Sequence, residues 1–294
     1  MLRTRVLTAV LALIVLVGAA LWAPAFGFDV LLLAIVTVAL YEWLGLLGLL
    51  APRAATIAAA LGLLGLASLL YFPPIILAAE GSGAALLPLY LLSTLVWVVA
   101  APLALSRGRT IGGQSGLGPA AAFVLCFSTW LALLQADGIG KLFLLSVLLL
   151  VWVADTAAYF VGRAFGRRKL APSISPGKTW EGVFGALAGN LFLAATLNQF
   201  GSGLSDASTP TIFNLAVEQV GGGFLFLFVI LITLVSVVGD LYESLLKRLR
   251  GVKDSSGLLP GHGGVLDRID ALMAVFPVTM AMVSLLELGR GGPR

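Results

Sequence analysis

Nine largely apolar stretches follow one another along the chain, at approximately 5–23, 28–50, 55–72, 84–105, 119–136, 142–162, 180–200, 222–239 and 269–288. A helix needs about 20 apolar residues to cross a ~30 Å hydrocarbon layer, so each stretch predicts one spanning helix. The alternating segments of about 10 residues that mark a membrane β-barrel are absent. Pro73–Pro74 and the stretches 106–119, 163–179, 201–221 and 240–268 carry the Pro, Gly, Ser and charged residues expected of connections. The Gly/Ser-rich piece at 201–209 predicts a flexible extramembrane loop. The pattern therefore predicts an all-α polytopic membrane protein of about nine transmembrane helices, without internal repeats.

Composition agrees. Of 294 residues, 60% are hydrophobic and 11% charged, against roughly 25% charged in soluble domains, which excludes an ordinary cytosolic protein. Met1, Arg3 and Arg5 followed by Val6–Leu21 resemble a signal peptide, but Trp22 and Pro24 suit the interfacial end of an uncleaved first span. With the N-terminus inside, the alternating connections gather the basic residues on the cytoplasmic side, leaving only Lys141, Arg290 and Arg294 outside. The positive-inside rule then predicts N-in/C-out. The net charge of +4 is absorbed by topology and anionic headgroups, and no nucleic-acid-binding surface is visible. Cys126, the single cysteine, reads as a small buried hydrophobe.

The acidic residues are distributed unevenly. Asp29, Glu80, Asp137, Asp206, Glu218 and Glu287 are scattered on the outer side, whereas Glu181, Asp240, Glu243, Asp254, Asp267 and Asp270 sit in or beside the last two cytoplasmic connections. Carboxylates contribute little to orientation, so this clustering needs another cause. At 100° per residue, Asp240, Glu243, Ser244 and Lys247 share one helical face and Leu241, Leu245 and Leu249 the opposite one. This predicts an amphipathic cytoplasmic helix between spans eight and nine, extending span eight along or just below the membrane surface. A glycine-rich loop around His262 follows, and Asp267 and Asp270 lie on one face at the mouth of span nine. Converging carboxylates flanked by lysines and arginines suit a hard divalent cation bound with phosphates. Asp155 within span six is costly unless used. Pro176-Gly177-Lys178 ahead of a span suits a phosphate-contacting turn, although it lacks P-loop spacing. On these grounds alone the chain reads as a metal-dependent enzyme acting on phosphates at the inner face.

The segment from Ser244 to Asp270 resembles the signature of the phosphatidate cytidylyltransferases (CDP-diacylglycerol synthases): Ser244, Leu246, Lys247, Arg248, Lys253, Asp254, Ser256, Leu259, Pro260, His262, Gly263, Gly264, Val265, Asp267, Arg268, Ile269 and Asp270 all fit it. Ser175–Gly182 and Asp155–Tyr159 look like two further polar motifs of that family. The resemblance implies transfer of CMP from CTP to phosphatidic acid, giving CDP-diacylglycerol and pyrophosphate. It implies catalytic roles for Asp240, Ser244, Lys247, Lys253, Asp254, His262, Asp267, Arg268 and Asp270. Substrate contacts fall to Asp155, Lys178, Glu181, Glu243, Arg248, Gly263 and Gly264. Asp240, Asp267 and Asp270 become the metal ligands, for Mg²⁺ with room for a second, monovalent or divalent, cation. His262 is assigned to phosphate binding, because phosphatidate, with a second pKa near ~6, is already largely dianionic and needs no base. The implied setting is a bacterial inner membrane with the site at the cytoplasmic face, among membrane lipids, in a homodimer. Residues 1–140 would be structural, lipid-facing helices and 141–294 the catalytic region. Glu42 and Gln114 find no role in this scheme. Two other readings stay open: a secondary transporter, against which stands the lack of midplane ionisable residues and inverted repeats, and another CTP-using lipid enzyme such as a polyprenol kinase, which would release CDP.

Overall fold

The computed structural model describes residues 2–71, 82–112, 116–200 and 211–290. Its helices are α1 (Leu2–Trp22), α2 (Ala25–Leu46), α3 (Ala51–Tyr71), α4 (Ser82–Leu95), α5 (Ala101–Arg107), α6 (Leu117–Ile139), α7 (Lys141–Phe165), α8 (Trp180–Phe200), α9 (Ile212–Val220), α10 (Gly222–Arg250) and α11 (Leu266–Arg290). A π-helical turn, Val96–Ala100, joins α4 to α5. Among the described residues, eight helical segments are long and apolar enough to cross a membrane, on the predicted spans two to nine. The predicted first span is the 21-residue α1. The protein is an all-α polytopic membrane protein.

Three local features differ from the sequence expectation. Within the connection 163–179, β1 (Lys169–Ala171) and β2 (Ser175–Thr179) form an antiparallel hairpin pairing Lys169 with Thr179 and Ala171 with Ser175. Within 201–221, the described part is α9, seated by the buried Ile212, Phe213 and Ala216; its Thr211 cap accepts from Asn214 N, and Ile212 N donates to Ser146 Oγ of α7. The flexible loop expected at 201–209 lies outside the described residues. Finally, the amphipathic stretch expected between spans eight and nine is the end of span eight's own helix, as the expected extension, but its packing differs. α10 runs unbroken for 29 residues, about 43 Å at 1.5 Å per residue, and ends at Gly251, whose left-handed backbone (φ +72°) stops it. Leu241, Tyr242, Glu243, Leu245 and Leu246 are all buried, so the polar and the apolar face of this stretch both pack into the protein, and only its end, Arg248, Leu249 and Arg250, is exposed.

The two halves of the chain share one core. Residues from α2 (Val36, Leu40, Leu44), α6 (Trp130, Leu134), α7 (Phe143, Val147), α10 (Phe228, Ile232) and α11 (Ala274, Phe276, Met280) are all buried in one cluster. Two close approaches position the site. α8 lies against α7 through small residues: a Cβ on Gly185 would meet Val161 side-chain atoms at 2.6 Å, and one on Gly189 would meet Ala157 at 2.9 Å. Such small-residue contacts let helix backbones approach where no hydrophobic effect drives association. Gly185→Leu is therefore expected to prise α8 from α7 at about 1–3 kcal/mol, as for other overpacked cores, and a thermal melt of the detergent-purified protein should show the drop. At the second approach, a Cβ on Gly239 would sit 2.9 Å from the Asp270 carbonyl and 3.1 Å from Ala274. α10 and α11 thus touch just where Asp240 and Asp270 emerge.

Candidate active site

A cavity of about 660 Å³ opens between α7, the hairpin, α8 and α10. α7 supplies Asp155, Tyr159 and Arg163, spaced four apart and so on one face. Tyr159 Oη accepts from Arg163 Nη1 at 2.9 Å. The hairpin supplies Lys169, Ser175, Gly177 and Lys178; α10 supplies Val237 and Asp240. Ala154, Ala158, Leu170, Val183 and Ala186 make the remaining wall apolar. Apolar walls with a few convergent polar groups are the ordinary form of a small-molecule site, and this one has a charged end and a greasy flank.

At the charged end, Lys178 Nζ is 2.5 Å from Asp240 Oδ2, with both side chains roughly a quarter to a third exposed. Asp155 interacts electrostatically with Asp240 and Lys178, and Asp270 with Asp240, Asp155 and Lys178. Carboxylates from three helices, α7, α10 and α11, are therefore within electrostatic reach of one another and of Lys178. Thr179 holds the hairpin's exit: its Oγ1 accepts from Gly182 N at 3.2 Å and caps α8. Gly162 and Gly182 approach that hydroxyl so closely that a Cβ on either would lie 3.0 or 3.3 Å from it. Glu181 lines a second, open groove with Arg167, Arg168, Trp180 and Phe184 rather than the cavity. Its carboxylate accepts from Arg167 N at 3.1 Å and Arg168 N at 3.2 Å, fixing the turn that starts the hairpin. Arg248 Nε donates to Ile174 O at 3.0 Å and ties the hairpin's other end to α10.

A second set of polar residues, none of them in the cavity lining, gathers around Lys247. Lys247 Nζ lies 2.5 Å from Glu243 Oε2 and 2.6 Å from Asp267 Oδ1, with side-chain exposures of 14% for the lysine and 4% for each carboxylate. Asp267 Oδ2 accepts from Ser255 N at 2.8 Å, Ser255 Oγ at 2.9 Å and Gly264 N at 2.8 Å. Gly263 adopts φ +81°, and a Cβ there would lie 2.5 Å from Asp267 Oδ2. That pair of constraints explains a glycine at this position. Within the loop, Leu259 N donates to Gly263 O, His262 N to Leu259 O, and Arg268 Nη2 to His262 O, each at 2.8 Å. Lys253 and Asp254 are exposed and Ser244 half-buried.

The structure thus sorts the sequence-derived residues into two groups. Asp155, Lys178 and Asp240 line the cavity with Asp270 in electrostatic reach, while Glu243, Lys247, Gly263, Gly264 and Asp267 organise the neighbouring loop. Among the described residues, no group of three or more His, Cys, Asp or Glu side chains is arranged to hold a metal ion. By donor type Asp240 and Asp270 fit a hard cation, whereas both oxygens of Asp267 are engaged by protein donors. Sequence reasoning missed the role of Glu42, whose buried carboxylate reaches this loop from α2. It also missed Tyr242, whose Oη accepts from Ile111 N at 3.1 Å and whose ring meets Trp43 and Trp97. Gln114 lies outside the described residues.

Among the described residues, eight helices are fit to cross a bilayer, and with a cavity between helices that carries carboxylates and a lysine at one end they define a polytopic membrane protein with a site for charged groups. The sequence profile of the cytidylyltransferase family matches residues 3–286, and the chain belongs to that family. It is similar to the phosphatidate cytidylyltransferase of Pseudomonas aeruginosa, at 35% identity over 297 aligned positions covering 100% of both chains. The phosphatidate cytidylyltransferase of Bacillus subtilis is 31% identical, with 97% of this chain and 98% of the relative covered. That of Haemophilus influenzae is 51% identical over 138 residues, 47% of this chain and 44% of the relative.

Proposed function

We infer that this protein transfers CMP from CTP to phosphatidic acid, releasing pyrophosphate and leaving CDP-diacylglycerol in the membrane. It is a nucleotidyltransferase. A phosphate oxygen of phosphatidate attacks the α-phosphorus of CTP, the bond from that phosphorus to the β-phosphate bridging oxygen breaks, and pyrophosphate carries away the electron pair. The observation that carries this reading is the cavity itself: an apolar flank suited to acyl chains runs into a charged end suited to phosphates.

The chain's own residues act by position and charge, which supply most of the acceleration in phosphoryl-type transfers. Lys178 is placed to pass from Asp240 to a phosphate oxygen, with Lys169 and Arg163 on the same wall. Tyr159, held by Arg163, borders the entry. Mg²⁺ is the proposed metal; Lys247 would contact the triphosphate, and Asp240, Asp270 and Asp267 would hold the ion. When bound it would neutralise charge building on the departing pyrophosphate. The site is proposed to face the cytoplasm of a bacterial inner membrane with the N-terminus inside. This orientation follows the positive-inside distribution of Lys and Arg, and CTP is a cytoplasmic nucleotide.

Full-length protein in detergent, given phosphatidic acid, Mg²⁺ and CTP labelled on either the α- or the γ-phosphate, tests the reading. The α-label should appear in lipid and the γ-label in pyrophosphate. A γ-label in lipid with CDP released would mark a CTP-dependent lipid kinase instead.

A further inference from the structure

We propose that Glu42 is a positioning residue for the transfer reaction, latching the glycine-rich loop 253–266 to α2 so that the loop's polar groups face the charged end of the cavity. The inference rests on the nucleotidyl-transfer reading and extends the site to a helix outside the C-terminal half.

Glu42 lies in an apolar helix, 4% exposed, where an ionisable side chain is costly unless it is partnered and used. All four of its partners belong to the loop or to the first turn beyond it. Oε1 accepts from Ser256 Oγ at 2.6 Å and Val265 N at 3.1 Å; Oε2 accepts from Ser255 Oγ at 3.0 Å and Leu266 N at 2.7 Å. One carboxylate therefore grips both ends of the loop. It also satisfies two amides at the start of α11 that no helical carbonyl can reach. The grip is steric as well: a Cβ on Gly264 would collide with Glu42 Oε2 and Ser255 Oγ. Glycine at 264 is thus required by the latch, as glycine at 263 is by Asp267.

The anchor itself is rigid. The next residue, Trp43, packs with tilted rings against Trp97 and Tyr242 at centroid distances of 6.2 and 6.0 Å, tying α2 to the π-helical turn and to α10. Ser255 is the crossing point, because its hydroxyl lies 3.0 Å from Glu42 and 2.9 Å from Asp267. Glu42 and Asp267 hold opposite sides of one loop, and Asp267 is tied through Lys247 to α10. Gly257, Leu258, Pro260 and Gly261 in the middle of the loop are exposed, and the residues on either side of them, Ser255, Ser256, Gly264, Val265 and Leu266, donate to these two carboxylates.

The test compares Glu42→Gln, Ser256→Ala and the double variant in the full-length detergent-purified protein. An amide keeps the size of the carboxylate but turns an N–H₂ toward amide and hydroxyl donors, so it breaks about half of the latch. Expected for Glu42→Gln is a fall in kcat of about ten- to a hundredfold, the cost of a displacement of roughly 1 Å at a reacting centre, with KM for CTP changed far less. Ser256→Ala should fall less, and the double variant should fall no further than Glu42→Gln. Hydrogen exchange should speed up in peptides covering 253–266 and stay unchanged in the spans. Wild-type kcat with unchanged exchange in the loop would overturn the proposal. So would a loss of activity accompanied by faster exchange throughout the spans, because that is a folding defect. Exchange needs no turnover, so it judges the latch separately from the reaction; a wild-type protein that makes no lipid-linked CMP would instead overturn the functional reading.

Discussion

Asp240→Asn is expected to lower lipid-linked CMP formation by about a hundred- to a thousandfold, the range that losing one preorganised electrostatic partner costs an active site, with no change in thermal midpoint. The side chain lines the cavity and is paired with Lys178 at 2.5 Å while remaining about a third exposed. The substitution is isosteric and leaves no fully buried charge behind, so the fold should tolerate it. The chemistry should not, because Asp240 is the point where α10, α11 and the hairpin bring their charges together. Initial rates over a CTP titration, beside a thermal melt of the same sample, check both halves of the expectation. A variant that retains full activity would remove Asp240 from the reaction.

Lys247→Met should have the opposite profile, with stability failing first. Its ammonium lies against two carboxyl groups that are each 4% exposed, and removing one partner of a buried ion pair costs about 3–5 kcal/mol. Roughly ten degrees of thermal midpoint should be lost. The loss has an internal check. Adding Glu243→Gln removes one of the two stranded charges, so the double variant should melt well above Lys247→Met alone. If the two substitutions simply add, the triad is not the source of the instability.

The helices were legible because each run of apolar residues is long enough by itself, and tertiary structure had little to override. The signature residues were legible because their types and spacings are dense between Ser244 and Asp270. What escaped depends on partners far apart in the chain. Glu42 meets Ser255 and Leu266 across 213 and 224 positions, and nothing local to an apolar helix announces that contact. The face shared by Asp240, Glu243 and Lys247 was correctly periodic, yet periodicity cannot say what a face looks at. It looks into the protein, where Lys247 meets Asp267. The hairpin was hidden because strands of three and five residues, rich in Pro, Gly and Lys, carry no alternation. Asp267 shows the same limit: its place beside Asp270 on one helix turn was readable, but its commitment to Lys247, Ser255 and Gly264 was not.

Photolabelling with a CTP analogue carrying an aryl azide on its γ-phosphate, followed by peptide mapping, asks most directly where the nucleotide sits. Labelling that is competed by CTP and confined to the walls of the cavity, in peptides containing Asp155–Arg163, Lys169–Lys178 or Asp240, is the predicted result. Competed labelling confined to the separate groove of Arg167, Trp180 and Phe184, or to α1 and α3, would contradict it.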